Sequence, residues 1–273
     1  MAGFTLNTRS RVDPDDGSDA SEIVVETIKL DPERVAVVII DMWDTHFCIS
    51  AAKRVDEMAP RMNEVITSAR KEGALIIHSP CGCVPLPGQD WGPPYSNTPQ
   101  RRRAEAAPQL DPPIKFDGKE HWNAEHESPL PPDPGECSCH PSEPACEPGA
   151  PQRRQIETIE IAEEDAVTDQ GQEFYNLLKQ RDIEDVIVMG VHTNACVLSQ
   201  PYGIRRLVYQ GKRPLLCRDL TDSFHRYSPG SYMGHFEGTG LIVEHIERYW
   251  CPTITSDQIA GGEAFRFRDD RRE

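Results

Sequence analysis

Short runs of apolar, mostly β-branched residues constrain the fold of this chain more than any other feature. They are Val35–Ile40, Ala74–Ile77 and Val186–Met189. A strand whose residues are all apolar has to be buried on both faces, which is typical of a parallel sheet covered by helices on each side. The runs therefore predict the central strands of an α/β protein.

The segment between the first two runs has the spacing of an amphipathic helix. Met62, Val65 and Ile66 share one face, while Pro60 suits the first turn of such a helix and Gly73 its end. A strand, a helix and a second strand in this order form a βαβ unit, whose two strands lie parallel.

The same alternation continues towards the end of the chain. Further strands are predicted over 156–161, 214–217 and 252–255, the last as an edge strand, with amphipathic helices between them. Alternating strands and helices pack as a mostly parallel sheet with helices on both faces. We therefore predict an αβα architecture.

The beginning of the chain does not follow this alternation. Residues 1–22 are polar and carry several aspartates, so we predict a flexible arm that docks, if at all, through Phe4 and Leu6. Residues 23–273 are then interpreted as one domain.

The overall charge narrows the range of partners. The chain has 29 basic and 45 acidic residues, giving a formal net charge of −16, which disfavours nucleic acid and anionic membranes as partners. No apolar stretch approaches the roughly 20 residues that span a bilayer, and the pattern of a signal peptide is missing. We expect a cytoplasmic protein with mostly reduced cysteines that acts on a small molecule.

Residues 80–155 hold 17 of the 24 prolines and show no sustained period, which predicts an irregular Pro- and Cys-rich insertion. Four of its side chains could bind zinc: Cys137, Cys139, His140 and Cys146. A metal would explain how so Pro-rich a segment stays ordered. The spacing is not that of paired C-x-x-C motifs, so disulfides and unmodified thiols remain alternatives.

Two residues at predicted strand ends are candidates for catalysis. Asp41 directly follows the first run, and ligands of open α/β sheets bind at the carboxyl ends of the strands. Cys196 falls in the first turn of a helix that Thr193 or Asn194 can cap, after Gly190 ends the strand. The helix dipole favours the thiolate there, which is the nucleophilic form. A loop-capping aspartate and an inert buried cysteine are the alternatives.

These residues resemble a known family. The segment from Gly190 to Val197 reads Gly-Val-His-Thr-Asn-Ala-Cys-Val, and together with Asp41 it resembles the isochorismatase-like cysteine hydrolases, which include nicotinamidases and related amidases. The segment Val243–Asp257 is similar to a bacterial subgroup of the same family. The resemblance implies a Rossmann-like three-layer αβα fold and, by analogy, a homo-oligomer.

The resemblance also implies roles for individual residues. Cys196 would attack a carbonyl carbon, and Asp41 would act as general base and then general acid in cleaving a C–N bond. A cis peptide bond at Val191–His192 would direct the backbone N–H groups of His192 and Cys196 at the oxyanion. No cofactor is required for this chemistry.

One element of the family pattern is missing. The family has a catalytic lysine just after the third strand, where this chain reads Ile161-Ala-Glu-Glu-Asp165. Acidic residues beside the thiol would raise its pKa rather than lower it. Another cation, a metal among the acidic residues, or a less reactive thiol are the explanations that the sequence leaves open.

A second metal site and a pocket can also be proposed around the end of the first strand. Asp44, His46 and His78 could hold a metal if the two strand ends face one crevice, although satisfied loop histidines are the simpler explanation. Trp43, Phe47 and Asn194 are candidates to line a pocket, although the aromatic rings could equally be core residues.

Three functions remain open. The first is amide-type hydrolysis through Cys196 and Asp41. The second is cleavage of a vinyl ether of the isochorismatase type, which does not need the thiol. The third is a non-catalytic relative that acts through its Cys-rich insertion.

Overall fold

A single mixed sheet of eight strands forms the centre of the molecule. The structure is a computed structural model, and it describes residues 3–13, 21–82, 95–116, 127–131, 138–139, 143, 146, 154–225 and 234–272. The strands are β1 Phe4–Val12, β2 Glu22–Leu30, β3 Val35–Ile40, β4 Leu75–Ser79, β5 Ala166–Val167, β6 Asp185–Val191, β7 Arg213–Asp222 and β8 Thr253–Ile254. The α-helices are α1 Ile49–Lys71, α2 Pro99–Glu105, α3 Gly171–Gln180, α4 Ile204–Tyr209, α5 His235–Tyr249 and α6 Asp257–Ala260.

The strand order is β2-β1-β8-β7-β6-β3-β4-β5. All neighbours from β8 to β5 pair in parallel, and β1 pairs antiparallel with both β2 and β8. The predicted mostly parallel sheet is therefore confirmed. The central position of β3 and β6 explains why both runs are apolar on every residue.

Each face of the sheet carries its own core. On one face, Val35, Val37 and Ile39 of β3 pack with the buried side of α1. On the other, Ala36 and Val38 pack with apolar residues of α3, α4 and α5. Alternate residues of one strand thus face opposite helix layers, which is the three-layer αβα arrangement expected from the sequence.

The prediction of a flexible arm is wrong for residues 4–12. They form β1, whose hairpin with β2 extends the sheet, so that β8 is an interior strand instead of the predicted edge strand. Phe4 and Leu6 point inward with 6% and 0% of their surface exposed. The polar residues that alternate with them lie on the other face of the strand. Their number makes the segment polar overall, and for this reason its composition predicts an arm and not a strand.

Two further boundaries differ from the prediction. Helix α1 begins at Ile49, so Pro60 lies in the middle of the helix and not in its first turn. The Pro60 side chain is exposed, and buried residues of the helix precede and follow it in the sequence. The third core strand is β5, whereas the predicted strand over 156–161 contains turns. One such turn is closed where the Ile159 N–H donates to the Ile156 carbonyl oxygen at 3.1 Å.

Parts of the predicted insertion over 80–155 lie outside the described residues, including Cys137 and His140. The described part is not irregular throughout, since it contains α2, which Thr98 caps by accepting from the Arg101 N–H. That the whole segment is one insertion stays a prediction. None of the described helices is long and apolar enough to cross a membrane. The cytoplasmic location and the homo-oligomer stay predictions.

Gly190 allows β6 to lie against the end of β3. Its φ is +119°, and a Cβ at this position would lie 2.0 Å from the Ile40 carbonyl oxygen. Any side chain would push apart the two strand ends that carry the residues discussed below. The glycine that ends the apolar run is therefore needed for close approach of the backbones.

We predict that Leu6→Ala lowers the free energy of unfolding by about 2–5 kcal/mol, because it leaves a cavity under the sheet. The matched control is Val25→Ala in the same hairpin, where the side chain is 63% exposed and the expected loss is below about 1 kcal/mol. Urea unfolding of both variants measures the difference. Equal stability of Leu6→Ala and the wild type would show that the hairpin is not part of the folded sheet.

Candidate active site

The ends of three adjacent strands bring the candidate catalytic residues together. Asp41 follows β3, Cys81 follows β4 by two residues, and Cys196 lies in a single π-helical turn, Thr193–Val197, that follows β6. Because these strands are parallel neighbours, their carboxyl ends open into one crevice. The sequence analysis identified Asp41 and Cys196 for this position, but it did not associate Cys81 with them.

Asp41 is held in a buried position. Its backbone has a φ of +51°, its surface is 4% exposed, and its Oδ1 accepts a hydrogen bond from the Cys81 N–H at 2.6 Å. Burial raises the pKa of Asp41 well above its usual range, and the nearby Cys196 raises it further. This environment therefore favours the protonated form of the carboxyl group.

The pKa of Cys196 is shifted in the opposite direction, to about 6. The largest cause is the hydrogen bond that the Cys81 thiol donates to the Cys196 sulfur, and Asp41, Gln200 and the backbone N–H of His192 donate further hydrogen bonds. Burial opposes these effects. The Sγ atoms of Cys81 and Cys196 are 3.9 Å apart, and Gln200 Nε2 lies 3.6 Å from the Cys196 Sγ. Several donors directed at one sulfur favour its thiolate.

The two shifts together define where the proton resides. The pKa of Asp41 is raised and that of Cys196 is lowered, so the environment favours a proton on Asp41 and a negative charge on Cys196. Cys81 stays protonated, because its hydrogen bond to Cys196 and its burial raise its pKa. The Tyr202 hydroxyl lies 2.9 Å from the Cys81 Sγ and completes a chain of donors that ends at Cys196.

The family's lysine would follow the third core strand, and the structure places that strand later in the chain than predicted. The third core strand is β5, so the residues just after it are Thr168, Asp169 and Gln170, and none of them is a lysine. Asp169 is close to the crevice, where its Oδ2 accepts from the Gly82 N–H at 2.6 Å. None of the main contributions to the pKa of Cys196 comes from lysine or arginine. Neutral donors therefore stabilise the thiolate.

The acidic segment before β5 is directed elsewhere. Asp165 forms an ion pair with Arg70 at 2.7 Å and a hydrogen bond with His78 at 3.0 Å. Burial opposes ionisation, but these two partners lower the pKa of Asp165. This carboxylate is structural and does not contribute to the main shifts at Cys196.

The peptide bond Val191–His192 is cis, as the resemblance implies. The backbone N–H of His192 is one of the groups that lower the pKa of Cys196, so it points towards the sulfur. The His192 ring is buried, and burial lowers its pKa to about 3, which keeps the imidazole neutral. A backbone donor beside a nucleophile is the arrangement that an oxyanion hole needs.

The three predicted pocket residues have different surroundings. Trp43 is 4% exposed and forms an isolated β-bridge with Gln155. Both ends of the Asn194 amide bind the backbone of Phe224, at 2.8 and 2.9 Å, so Asn194 positions that residue. The Phe47 ring is half-buried, with its centroid 6.1 Å from that of Phe224. Lining of a pocket by Trp43, Phe47 and Asn194 stays a prediction.

Phe224 is another residue near this site that the sequence analysis did not identify. It follows β7 by two residues, and its ring stacks on His192 with centroids 3.4 Å apart. His46 lies beside the same rings, 5.2 Å from His192 and 5.4 Å from Phe224 between centroids. The available signal was an aromatic residue just past the carboxyl end of a strand.

The predicted metal site of Asp44, His46 and His78 is not formed. His78 is fully buried, and its two ring nitrogens bind Gln155 and Asp165 at 3.0 Å each. His46 Nδ1 instead accepts from the Cys48 N–H at 3.0 Å. Their ligand atoms are not among those that converge in the described part of the chain.

Two other groups of side chains do converge within distances that a metal ion could bridge. One consists of Asp41, Cys81 and Cys196, whose contacts are described above. The other consists of Cys48, Cys139 and Cys146, and thus includes two of the four predicted zinc ligands. Cys48, at the start of α1, was not identified from the sequence.

A cavity of about 530 Å³ lies away from the crevice. Arg9 and Arg11 from β1 contribute to its wall, and neither Asp41 nor Cys196 does. Both arginines are paired with Glu247, at 2.7 and 3.2 Å. The cavity therefore has no connection with the chemistry of Cys196.

The chain is similar to known proteins in its sequence pattern and in its fold. Residues 35–229 match the family model described as Isochorismatase domain. The chain is similar to the structure of a cysteine hydrolase from Pseudomonas syringae pv. phaseolicola 1448A, with a TM-score of 0.51 and 18% identity over 85% of this chain and 92% of that chain. It is also similar to an isochorismatase from Pseudomonas putida KT2440, with a TM-score of 0.49 and 14% identity over 84% and 92%. The first similarity shows a shared fold. No curated protein matches the sequence.

We predict that Cys81→Ala raises the pKa of Cys196 above its value of about 6, since it removes the largest favourable contribution to the thiolate. The rate of alkylation of the Cys196 peptide, followed against pH by mass spectrometry, should fall severalfold at pH 6. Cys251→Ala is the control, because Cys251 lies in the core beside β8. An unchanged pH profile in Cys81→Ala would show that Cys81 does not support the thiolate.

Proposed function

Because the chain belongs to the isochorismatase family, we propose that it is a cysteine hydrolase that cleaves the C–N bond of a small amide. The contact of Cys196 with Asp41 and Cys81 carries this proposal, since it lowers the pKa of the thiol to about 6 and leaves a proton on Asp41. A nucleophile and an acid in contact are what amide cleavage requires.

The first half of the reaction forms an acyl-enzyme. The Cys196 thiolate attacks the carbonyl carbon, and the π electrons of the C=O bond move onto the oxygen. The backbone N–H groups of His192 and Cys196 donate to this oxyanion. As the C=O bond re-forms, the C–N bond breaks and Asp41 gives its proton to the leaving nitrogen. A thioester and an amine result, and Asp41 is left as a carboxylate.

The second half restores the enzyme. The Asp41 carboxylate takes a proton from a water molecule as the water oxygen attacks the thioester carbon. Collapse of this intermediate breaks the C–S bond, releases the carboxylic acid and regenerates the Cys196 thiolate. The proton is again on Asp41, so the resting charge distribution is the starting point of the next cycle.

Within the described part of the chain, no lysine or arginine is among the main groups that shift the pKa of Cys196, and this bears on the substrate. The site carries the negative charge of the Cys196 thiolate, and the Asp169 side chain lies nearby on the Gly82 N–H. An anionic substrate would be repelled by these groups. Neutral amides therefore suit the crevice better than the acidic substrates that a lysine would help to bind.

We predict that wild-type protein hydrolyses at least one neutral amide in a panel of small aromatic and aliphatic amides. Its kcat/KM should rise with pH through an apparent pKa of about 6, because the thiolate of the free enzyme is the reactive form. Cys196→Ala should lower kcat/KM by at least about 10³-fold. Intact-mass analysis of rapidly quenched protein should show the acyl group on Cys196.

Cys251→Ala, a core cysteine remote from the crevice, should retain full activity and serves as the control for loss of a thiol. Hydrolysis of a vinyl ether that persists in Cys196→Ala would support the isochorismatase-type reaction instead. A wild-type protein with a reactive Cys196 that turns over neither class of substrate would favour a non-catalytic role.

A further inference from the structure

Three cysteine side chains converge at the beginning of α1, apart from the proposed catalytic residues. The Sγ of Cys139 lies 3.4 Å from the Sγ of Cys48 and 3.2 Å from that of Cys146, and all three sulfur atoms lie within 4.8 Å of one another. We propose that Cys48, Cys139 and Cys146 bind a zinc ion as thiolates, in a structural site that the amidase chemistry does not use.

The distances fit a metal better than they fit a disulfide. Zinc–thiolate bonds of about 2.3 Å place tetrahedral sulfur ligands about 3.8 Å apart, so the three atoms need to move by only a few tenths of an ångström. A disulfide requires about 2.05 Å between its sulfur atoms and joins only two of them. Three sulfur donors at one point favour zinc over the hard cations magnesium and calcium.

The surroundings of Cys48 favour a metal-bound thiolate. The residue is buried and is the N-cap of α1, a helix of 23 residues, so its sulfur lies at the positive end of the helix dipole. The Ser138 N–H donates to the Cys48 Sγ at 3.3 Å, a contact of the kind that orients metal-bound sulfur.

A positive side chain stands behind this contact. Arg54 Nη2 donates to the Ser138 hydroxyl at 2.5 Å, and the same hydroxyl lies 3.4 Å from the Cys48 Sγ. The Arg54 Nε is fixed by Asp222 at 2.7 Å. The guanidinium charge is balanced by the Asp222 carboxylate, so Arg54 contributes by holding the Ser138 hydroxyl next to the Cys48 sulfur. The Cys48 sulfur, the Ser138 hydroxyl and the Arg54 guanidinium therefore form a continuous chain of contacts.

The site would have a mechanical role. Cys48 is the N-cap of α1, and the loop that leads to it from the end of β3 begins with Asp41. Cys139 and Cys146 belong to a stretch of chain remote in sequence, so a shared zinc ion would fasten that stretch to the start of the helix. Folding and metal binding would then be coupled. These thiols supply three of the four ligands of a tetrahedral zinc ion, so the site requires a fourth ligand in addition to them.

The direct test is metal analysis of the full-length protein, purified under reducing conditions without chelators and then exposed to zinc chloride and desalted. About one zinc per chain is expected, with X-ray absorption showing sulfur neighbours at about 2.3 Å. This measurement needs no variant and is unaffected by poor folding of a mutant. Less than about one tenth of an equivalent of zinc in folded protein, or a Cys139–Cys146 disulfide in the peptide map, would overturn the proposal.

Variants locate the site. Zinc should be lost in Cys48→Ser and Cys146→Ser, and retained in Cys196→Ser and Cys251→Ser. Loss of zinc in Cys196→Ser with retention in Cys48→Ser would assign the metal to the cluster with Asp41 and Cys81 and refute the three-thiol site. Neither result depends on amide hydrolysis, so the zinc proposal and the proposed function can fail separately.

Discussion

The single proton shared by Asp41 and Cys196 is the constraint on which the site depends. Asp41 is buried and Cys196 is partly buried, and two negative charges in contact there would be costly, so one of the pair has to remain neutral. The fold enforces the contact, because β3 and β6 are parallel neighbours and Gly190 lets their ends approach closely. Burial assigns the proton to Asp41, and the donors around Cys196 assign the charge to sulfur.

A row of neutral donors takes the place of the positive charge that the family pattern would supply. Cys81 and Gln200 are directed towards the Cys196 sulfur, and the Tyr202 hydroxyl donates in turn to the sulfur of Cys81. Among the described residues, these donors stabilise the thiolate without adding positive charge. Under the proposed function, Cys81 would position the nucleophile, and the missing lysine would favour neutral substrates.

The sequence predicts the centre of the fold better than its edges. Val35–Ile40 and Val186–Met189 are apolar on every residue, so burial on both faces could be read directly, and Asp41 and Cys196 followed from the strand ends. Residues 4–12 expose one face and were concealed by their polar half, and β5 has two residues, too few to show a period. The Cys48–Cys139 and Cys81–Cys196 contacts join residues 91 and 115 positions apart, which no local pattern reveals.

Infrared spectroscopy tests the location of the proton most directly, because a protonated carboxyl group and a thiol absorb in separate bands. At pH 7 the account predicts a carboxylic-acid C=O band that disappears in Asp41→Asn, and no S–H band that disappears in Cys196→Ser. Cys81→Ala should remove the S–H band of the donor thiol and so calibrates the measurement. An ionised Asp41 together with an S–H band that belongs to Cys196 would contradict the account.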